Sequence, residues 1–151
     1  MNRARVHATL GLAALLLGGC IRLIAPYDAQ VETETLAAAK AVDRFYGDLL
    51  EEDENQRPYS RHRERYVQIE TDLRALVLRN DIRPLNTESA GIARDILTLW
   101  GQKKELHRTR NGYRTGAARL DRDRFADLFK YALRAEKAKA DAEPAAGEGD
   151  D

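Results

Sequence analysis

Apolar residues recur at alternating steps of three and four along four stretches of the chain, and this repeat constrains the fold more than any other feature. The first stretch runs from Asp28 to about Asp53 and carries the stripe Val31, Thr35, Ala38, Val42, Phe45 and Leu49. Such spacing places side chains on one face of an α-helix. Alternating β-branched runs are absent, so no strand is predicted.

The second and third stretches have the same helical spacing. The second lies between Pro58 and Pro84 and carries the stripe Tyr59, His62, Tyr66, Ile69, Leu73, Leu76 and Val77 before ending near Asn80. The third begins at a cap formed by Asn86 or Thr87 and continues to about Arg108. Trp100 is expected at the centre of the core that these helices share.

The composition of residues 110–116, RNGYRTG, predicts a loop before the last helix. The fourth helix is expected to begin near Asp121 or Asp123, to bury Phe125, Leu128 and Phe129, and to fade towards its end. Four helices joined by short loops predict an all-α fold, an antiparallel four-helix up-down bundle over residues 28–139. Residues 140–151, which are rich in acids, are predicted to be a disordered acidic tail.

The chain begins with the three parts of a secretory signal peptide. Arg3 and Arg5 supply the positive region, Ala8–Leu17 the apolar region, and small residues follow. The apolar run from Ala8 to Ile21 is shorter than the ~18 residues of a confident membrane span. Residues 1–19 are therefore predicted to be an export signal.

The end of this segment, Leu17-Gly18-Gly19-Cys20, resembles the lipobox of bacterial lipoproteins, with Gly18 where Ala or Ser is commoner. The resemblance implies cleavage before Cys20, acylation of that cysteine and a lipidated tether over residues 20–27, whereas the alternative is an ordinary cysteine. Because Ile21 rather than aspartate follows Cys20, it also implies the periplasmic face of the outer membrane, with the inner membrane as the alternative.

The opening of the mature chain, GCIRLIAPYDAQVETET, is similar to that of uncharacterised small helical lipoproteins of proteobacteria. That similarity implies a helical envelope protein and assigns no activity.

No sequence motif specifies a catalytic, metal or cofactor site. His62 and His107 can meet across two antiparallel helices, but neither lies in a zinc-binding pattern, and a solvent-facing or interfacial position is favoured. Ser60 and Ser89 lie outside a nucleophile elbow. The acidic run over residues 51–54 lacks the alternating ligands of a calcium loop. We therefore predict no catalytic residue, metal or cofactor.

Basic residues crowd the start of the second helix and the end of the third, and an up-down bundle places both groups at the end far from the anchor. They are either candidate contacts to a partner or ordinary solvated side chains. The basic excess of residues 20–139 is too small to imply nucleic-acid binding. The candidates are Arg57, Arg61, Arg63, Arg65, Lys103, Lys104, Arg108 and Arg110.

Two functions follow as hypotheses. The first is a non-enzymatic, lipid-anchored periplasmic module that binds another envelope protein. The alternative is a small envelope enzyme or ligand-binding protein with a site between helices, which would use His62, Tyr66 and His107. Gly47, Gly91 and Gly101 lie inside the predicted helices, where they either allow close helix approach or are tolerated on the surface.

Overall fold

The computed structural model describes residues 23–142, and four long helices make up most of that range. They are α1 (Ala29–Glu51), α2 (Tyr59–Asp81), α3 (Thr87–Arg110) and α4 (Thr115–Ala142), with a short 3-10 turn over Glu54–Gln56. The proposed signal peptide, Cys20 and residues 143–151 lie outside the described residues. Between residues 23 and 142, no helix has both the length and the apolar character needed to cross a bilayer.

Each helix packs against its neighbours in the chain, and α4 closes the arrangement by packing against α1. Short connections make successive helices antiparallel. The predicted four-helix up-down bundle is therefore confirmed. We call the end at which α1 begins the near end, where the Ala25 amide donates to the Leu85 carbonyl at 3.0 Å. The opposite end is the far end, where the Tyr59 amide donates to Asn111 Oδ1 at 3.1 Å.

Trp100 lies at the centre of the core, as predicted, and is completely buried. Its ring contacts those of Phe45, Tyr66 and Phe125, with centroids 5.0 to 5.8 Å apart. Its indole nitrogen donates to the Tyr66 carbonyl at 3.3 Å. Aromatic contacts between all four helices thus fix the middle of the bundle.

The predicted cap of α1 is also confirmed. Asp28 Oδ1 accepts hydrogen bonds from the amides of Gln30 at 2.9 Å and Val31 at 3.2 Å. These bonds satisfy two amides that have no partner within the helix. The ends of α2 and α3 fall within two residues of the predicted positions.

The predicted start of α4 is wrong, because the helix begins at Thr115 rather than at Asp121 or Asp123. The amide of Thr115 donates to Glu54 Oε2 at 2.8 Å, so a side chain distant in sequence caps this helix. Asp121 is buried inside α4, where it accepts from the Tyr113 hydroxyl at 2.7 Å. Gly112 and Gly116 favoured a loop up to residue 121, whereas the loop between α3 and α4 ends before Thr115.

The last turns of α4 pack on the bundle instead of fading into solvent. Glu136 and Lys139 are buried against α3, and the helix continues to Ala142. Residues 140–142, which we had assigned to the acidic tail, are therefore helical. The sequence pattern does not predict this part of the helix, because two of its buried positions carry the charged residues Glu136 and Lys139.

Candidate functional site

The structure brings the two predicted basic groups together at the far end, but it uses Arg57 for internal contacts. Arg57 is only 3% exposed. Its guanidinium donates to the Glu52 carbonyl, to the Tyr113 carbonyl at 3.1 Å and to Thr115 Oγ1 at 3.0 Å. The α1–α2 connection is thereby joined to the α3–α4 connection. This geometry assigns Arg57 a structural role.

Most of the other basic candidates pair with acids of the bundle. Lys103 lies 2.7 Å from Asp121, and Lys104 lies 2.7 Å from Glu70. The remaining pairs are Arg65 with Asp48, Arg108 with Glu105 and Arg61 with Glu52. Arg63 and Arg110 are exposed, and no ion pair within residues 23–142 involves either of them. A partner-binding role for these residues stays a prediction.

His62 and His107 do meet, at the interface of α2 and α3, where both are buried. Their ring centroids lie 5.6 Å apart. His107 Nε2 lies 2.9 Å from the Arg57 carbonyl, and Nδ1 lies 3.0 Å from the Tyr66 hydroxyl. His62 Nε2 lies 3.6 Å from Glu52 Oε2, and neither of these buried atoms has a hydrogen-bond partner among residues 23–142.

Burial lowers the pKa of both histidines, because it removes water from the charged imidazolium. For His62, the nearby Glu52 carboxylate opposes the effect of burial. For His107, the bond to the Arg57 carbonyl opposes it, and His62 adds to it. Both rings are therefore neutral in the folded protein near pH 7.

The rings around this pair fill the space that a substrate would need. Tyr66 stacks on Tyr59 with centroids 5.6 Å apart, and Phe45 lies 4.6 Å from Tyr66. In the described part of the chain, no group of three or more histidine, cysteine, aspartate or glutamate residues is placed to hold a metal ion. The geometry favours a packing role for His62, Tyr66 and His107 over the active-site alternative.

A second buried polar cluster lies at the near end and was missed by the sequence analysis. Lys139 Nζ donates to Asn86 Oδ1 at 2.6 Å, to Ser89 Oγ at 2.7 Å and to Glu136 Oε1 at 2.5 Å. Arg83 donates to the same Glu136 oxygen at 3.0 Å. All three ammonium protons of Lys139 therefore have acceptors within the cluster. The cluster ties α4 to the start of α3.

An apolar groove of about 520 Å³ lies between α1 and α4. Leu36 is 43% exposed beside it, whereas Val42, Phe125 and Phe129 form its buried floor. Such a volume falls within the ~300–1,000 Å³ of small-molecule sites, and apolar surface accessible in this way often marks a contact region. Sequence patterning gave no sign of the groove, since it arises from how far apart two helix faces lie.

Cations lie on both edges of this groove, and the α1 edge also carries the acids Glu32 and Asp43. On α4, Lys130, Arg134 and Lys137 follow one edge at steps of four and three, and Lys40 lies on α1. Lys130 pairs with Asp127 at 3.2 Å. Within residues 23–142, Lys40, Arg134 and Lys137 have no ion pair. Accessible apolar side chains such as Leu36, together with cations that have no ion pair within residues 23–142, provide a surface for an acidic amphipathic partner.

No family model, no curated protein and no solved structure matches this chain.

Proposed function

We propose that the chain is a lipid-anchored envelope protein whose helical bundle binds another protein, without catalysis of its own. The observation that carries the binding function is the groove between α1 and α4. It combines accessible apolar side chains with the cations Lys40, Arg134 and Lys137, which have no ion pair in the described part of the chain. The anchor is supported by the sequence Leu17-Gly18-Gly19-Cys20, and the absence of aspartate at residue 21 favours the outer membrane over the inner membrane.

The occupant that fits this groove is an amphipathic helix with acidic edges, contributed by a second envelope protein. Its apolar face would cover Leu36 and the floor formed by Phe125 and Phe129. Acidic residues on its two edges would reach Lys40 on one side and the α4 cations on the other. Helix-in-groove recognition uses this division, in which apolar contacts supply affinity and charge supplies orientation.

The test is site-specific photo-crosslinking in intact cells of the host, with a photoreactive amino acid at Leu36. The matched control position is Val67, an exposed aliphatic residue on the other side of the bundle that is 52% exposed. We expect residue 36 to crosslink to a protein through a segment rich in Glu and Asp, and residue 67 to give no such adduct. The same adducts at both positions, or none at residue 36, would contradict the proposal.

Charge reversal then separates the groove from the far-end basic surface. The pair Arg134→Glu and Lys137→Glu should abolish the adduct at residue 36, because it repels acidic edges. The matched pair Arg63→Glu and Arg110→Glu should leave the adduct unchanged. Both residues are exposed at the far end and have no ion pair with any residue that the structure describes. If only the far-end pair abolishes it, the far-end basic surface carries binding and the groove does not.

The groove also favours one second candidate function, the binding of a small ligand between helices. Its volume and apolar floor suit a single acyl chain, with the headgroup of an anionic amphiphile near Lys137 and Arg134. Crosslinking at residue 36 distinguishes the two functions, since a lipid adduct adds only the mass of the amphiphile to the chain. The ligand site would then lie between α1 and α4 and not at His62, Tyr66 and His107.

A further inference from the structure

Large apolar side chains are exposed together at the near end of the bundle. Leu23 and Ile24 precede α1, and Ile82 and Leu85 lie in the connection from α2 to α3. Leu23 is 80% exposed and Ile82 is 72% exposed. These four residues form what we call the apolar cap. A water-facing surface gains nothing from such side chains, so their grouping at one end points to a contact.

The backbone holds the two halves of the apolar cap in place. The Ala25 amide donates to the Leu85 carbonyl at 3.0 Å, and Ala25 itself is buried. Ile24 and Leu85 both line a shallow depression of about 170 Å³ at this end. Leu85 has a positive φ of 60°, a conformation that a branched apolar residue seldom adopts. The fold therefore maintains an exposed leucine in a strained backbone position beside Ile24.

The position of the apolar cap relative to Cys20 identifies what covers it. Only three residue steps separate Cys20 from Leu23, which is a reach of at most about 11 Å. If the sulfur of Cys20 carries acyl chains in a bilayer, the near end lies against the headgroups. The far end lies about 34 Å away along α2, at ~1.5 Å of rise per residue.

We propose that the bundle docks end-on to the lipid surface, with the apolar cap inserted among the headgroups. This inference rests on the proposed lipidation of Cys20. The occupant is the bilayer itself, because the tether brings this surface against it whatever protein the groove binds. Aliphatic side chains on a short protruding connection match the apolar boundary below the headgroups, as in other interfacial contacts. The groove between α1 and α4 then faces sideways and remains accessible to a partner.

The test measures the membrane depth of an environment-sensitive fluorophore on single introduced cysteines. Ile82→Cys reports on the apolar cap. Arg110→Cys reports on the far end, at an exposed position that has no ion pair between residues 23 and 142. The lipidated full-length protein is placed in phosphatidylethanolamine and phosphatidylglycerol vesicles that contain a shallow nitroxide-labelled lipid. Acylation of Cys20 leaves the introduced cysteine as the only free thiol.

We expect at least about twofold more quenching at residue 82 than at residue 110, since interfacial side chains lie ~5–10 Å into the headgroup boundary. Adding Leu85→Asn, which suits a positive φ, should reduce quenching at residue 82 without unfolding the bundle. Equal, weak quenching at both positions in protein whose mass shows an acylated Cys20 would overturn the docking and leave the anchor intact. An unmodified Cys20 would overturn the anchor and the docking together.

Discussion

The Tyr66 hydroxyl lies 3.0 Å from Nδ1 of His107, and this bond fixes the state of the imidazole. The opposite nitrogen lies 2.9 Å from the Arg57 carbonyl, which can only accept. Nε2 therefore carries the proton, Nδ1 accepts, and the Tyr66 hydroxyl donates. A neutral histidine links α2, α3 and the connection that precedes α2.

Replacing Tyr66 by phenylalanine should destabilise the bundle by about 1–3 kcal/mol, because the buried Nδ1 of His107 loses the donor that it has among the described residues. Tyr59→Phe is the matched control, since Tyr59 stacks on Tyr66 but its hydroxyl has no hydrogen bond within residues 23–142. Urea unfolding followed by circular dichroism measures both variants. Equal losses for the two would show that the hydroxyl of Tyr66 contributes nothing specific.

Stability should decrease as pH falls from 7.5 to 5.5. The unfolded chain takes up protons at His62 and His107 near their ordinary pKa of 6.5, whereas burial lowers both pKa values in the folded chain. Below about pH 6.5 the unfolded state thus binds more protons, and the free energy of unfolding falls with pH.

The measurement is the free energy of unfolding at several pH values in that range, for the wild type and for His62→Gln. The variant should show a smaller decrease, because one titrating ring is gone while a polar group remains near Glu52. An unchanged slope would contradict a lowered pKa of His62 in the folded protein, because a ring that titrates alike in both states contributes nothing to the slope.

The sequence predicted the fold wherever an apolar side chain marked a buried position. In α1, Val42, Phe45 and Leu49 are buried as their spacing indicated. The start of α4 could not be predicted in this way, since its buried positions are Ala118 and Asp121 and its cap is a glutamate from another connection. Helical spacing predicts which face of a helix is buried. It does not predict that a charged residue on that face has hydrogen-bond or ion-pair partners that allow it to be buried.

The near-end cluster and the groove show the same limit at the level of the site. Glu136 and Lys139 have the composition of a solvated helix end, and only the packing of α4 against Asn86 and Ser89 makes them buried. The signal that was available is the spacing, since both residues continue the stripe that contains Phe125 and Phe129. The groove depends on the gap between two helices, which sequence periodicity does not encode.

Removing one member of the buried pair formed by Lys139 and Glu136 should be costly. Lys139→Met leaves Glu136 with only Arg83 as a partner, and breaking a buried pair typically costs ~3–5 kcal/mol. We expect the double variant Lys139→Met with Glu136→Leu to be more stable than Lys139→Met alone.

The control for this pair is Lys130→Met, which breaks an exposed pair with Asp127 and should change stability by no more than about 0.5 kcal/mol. A double-mutant cycle by urea unfolding gives the coupling between Lys139 and Glu136. Strictly additive losses would contradict a direct interaction.

Gly101 should tolerate alanine with a gain in stability. It lies inside α3, and an added Cβ would meet no atom within 4 Å. Alanine is favoured over glycine by up to ~1 kcal/mol in such a position. An added Cβ at Gly91 also meets no atom within 4 Å, so Gly91→Ala should have the same effect. Neither glycine is therefore required for a close approach between helices. A loss of stability in Gly101→Ala would indicate that this surface contacts something in the folded protein.

A variant of Arg57 tests whether this predicted basic residue has a structural role or a binding role. Arg57→Met removes the donors to the partly buried Glu52 carbonyl and to the buried Tyr113 carbonyl. We expect a loss of at least about 2 kcal/mol, because bonds to a charged group contribute ~1.5–3 kcal/mol each. Lysine at residue 57 should restore little of this, since it lacks the planar fork that reaches several acceptors at once.

Arg63→Met is the comparison, because Arg63 is exposed, has no ion pair within residues 23–142 and lies in the same basic region. Its stability should match that of the wild type within about 0.5 kcal/mol. The stability of the Arg57 and Arg63 variants should be measured by urea unfolding before their binding at the far end is compared. If Arg57→Met were as stable as Arg63→Met, the contacts of Arg57 would not hold the two connections together, and Arg57 would be available to a partner after all.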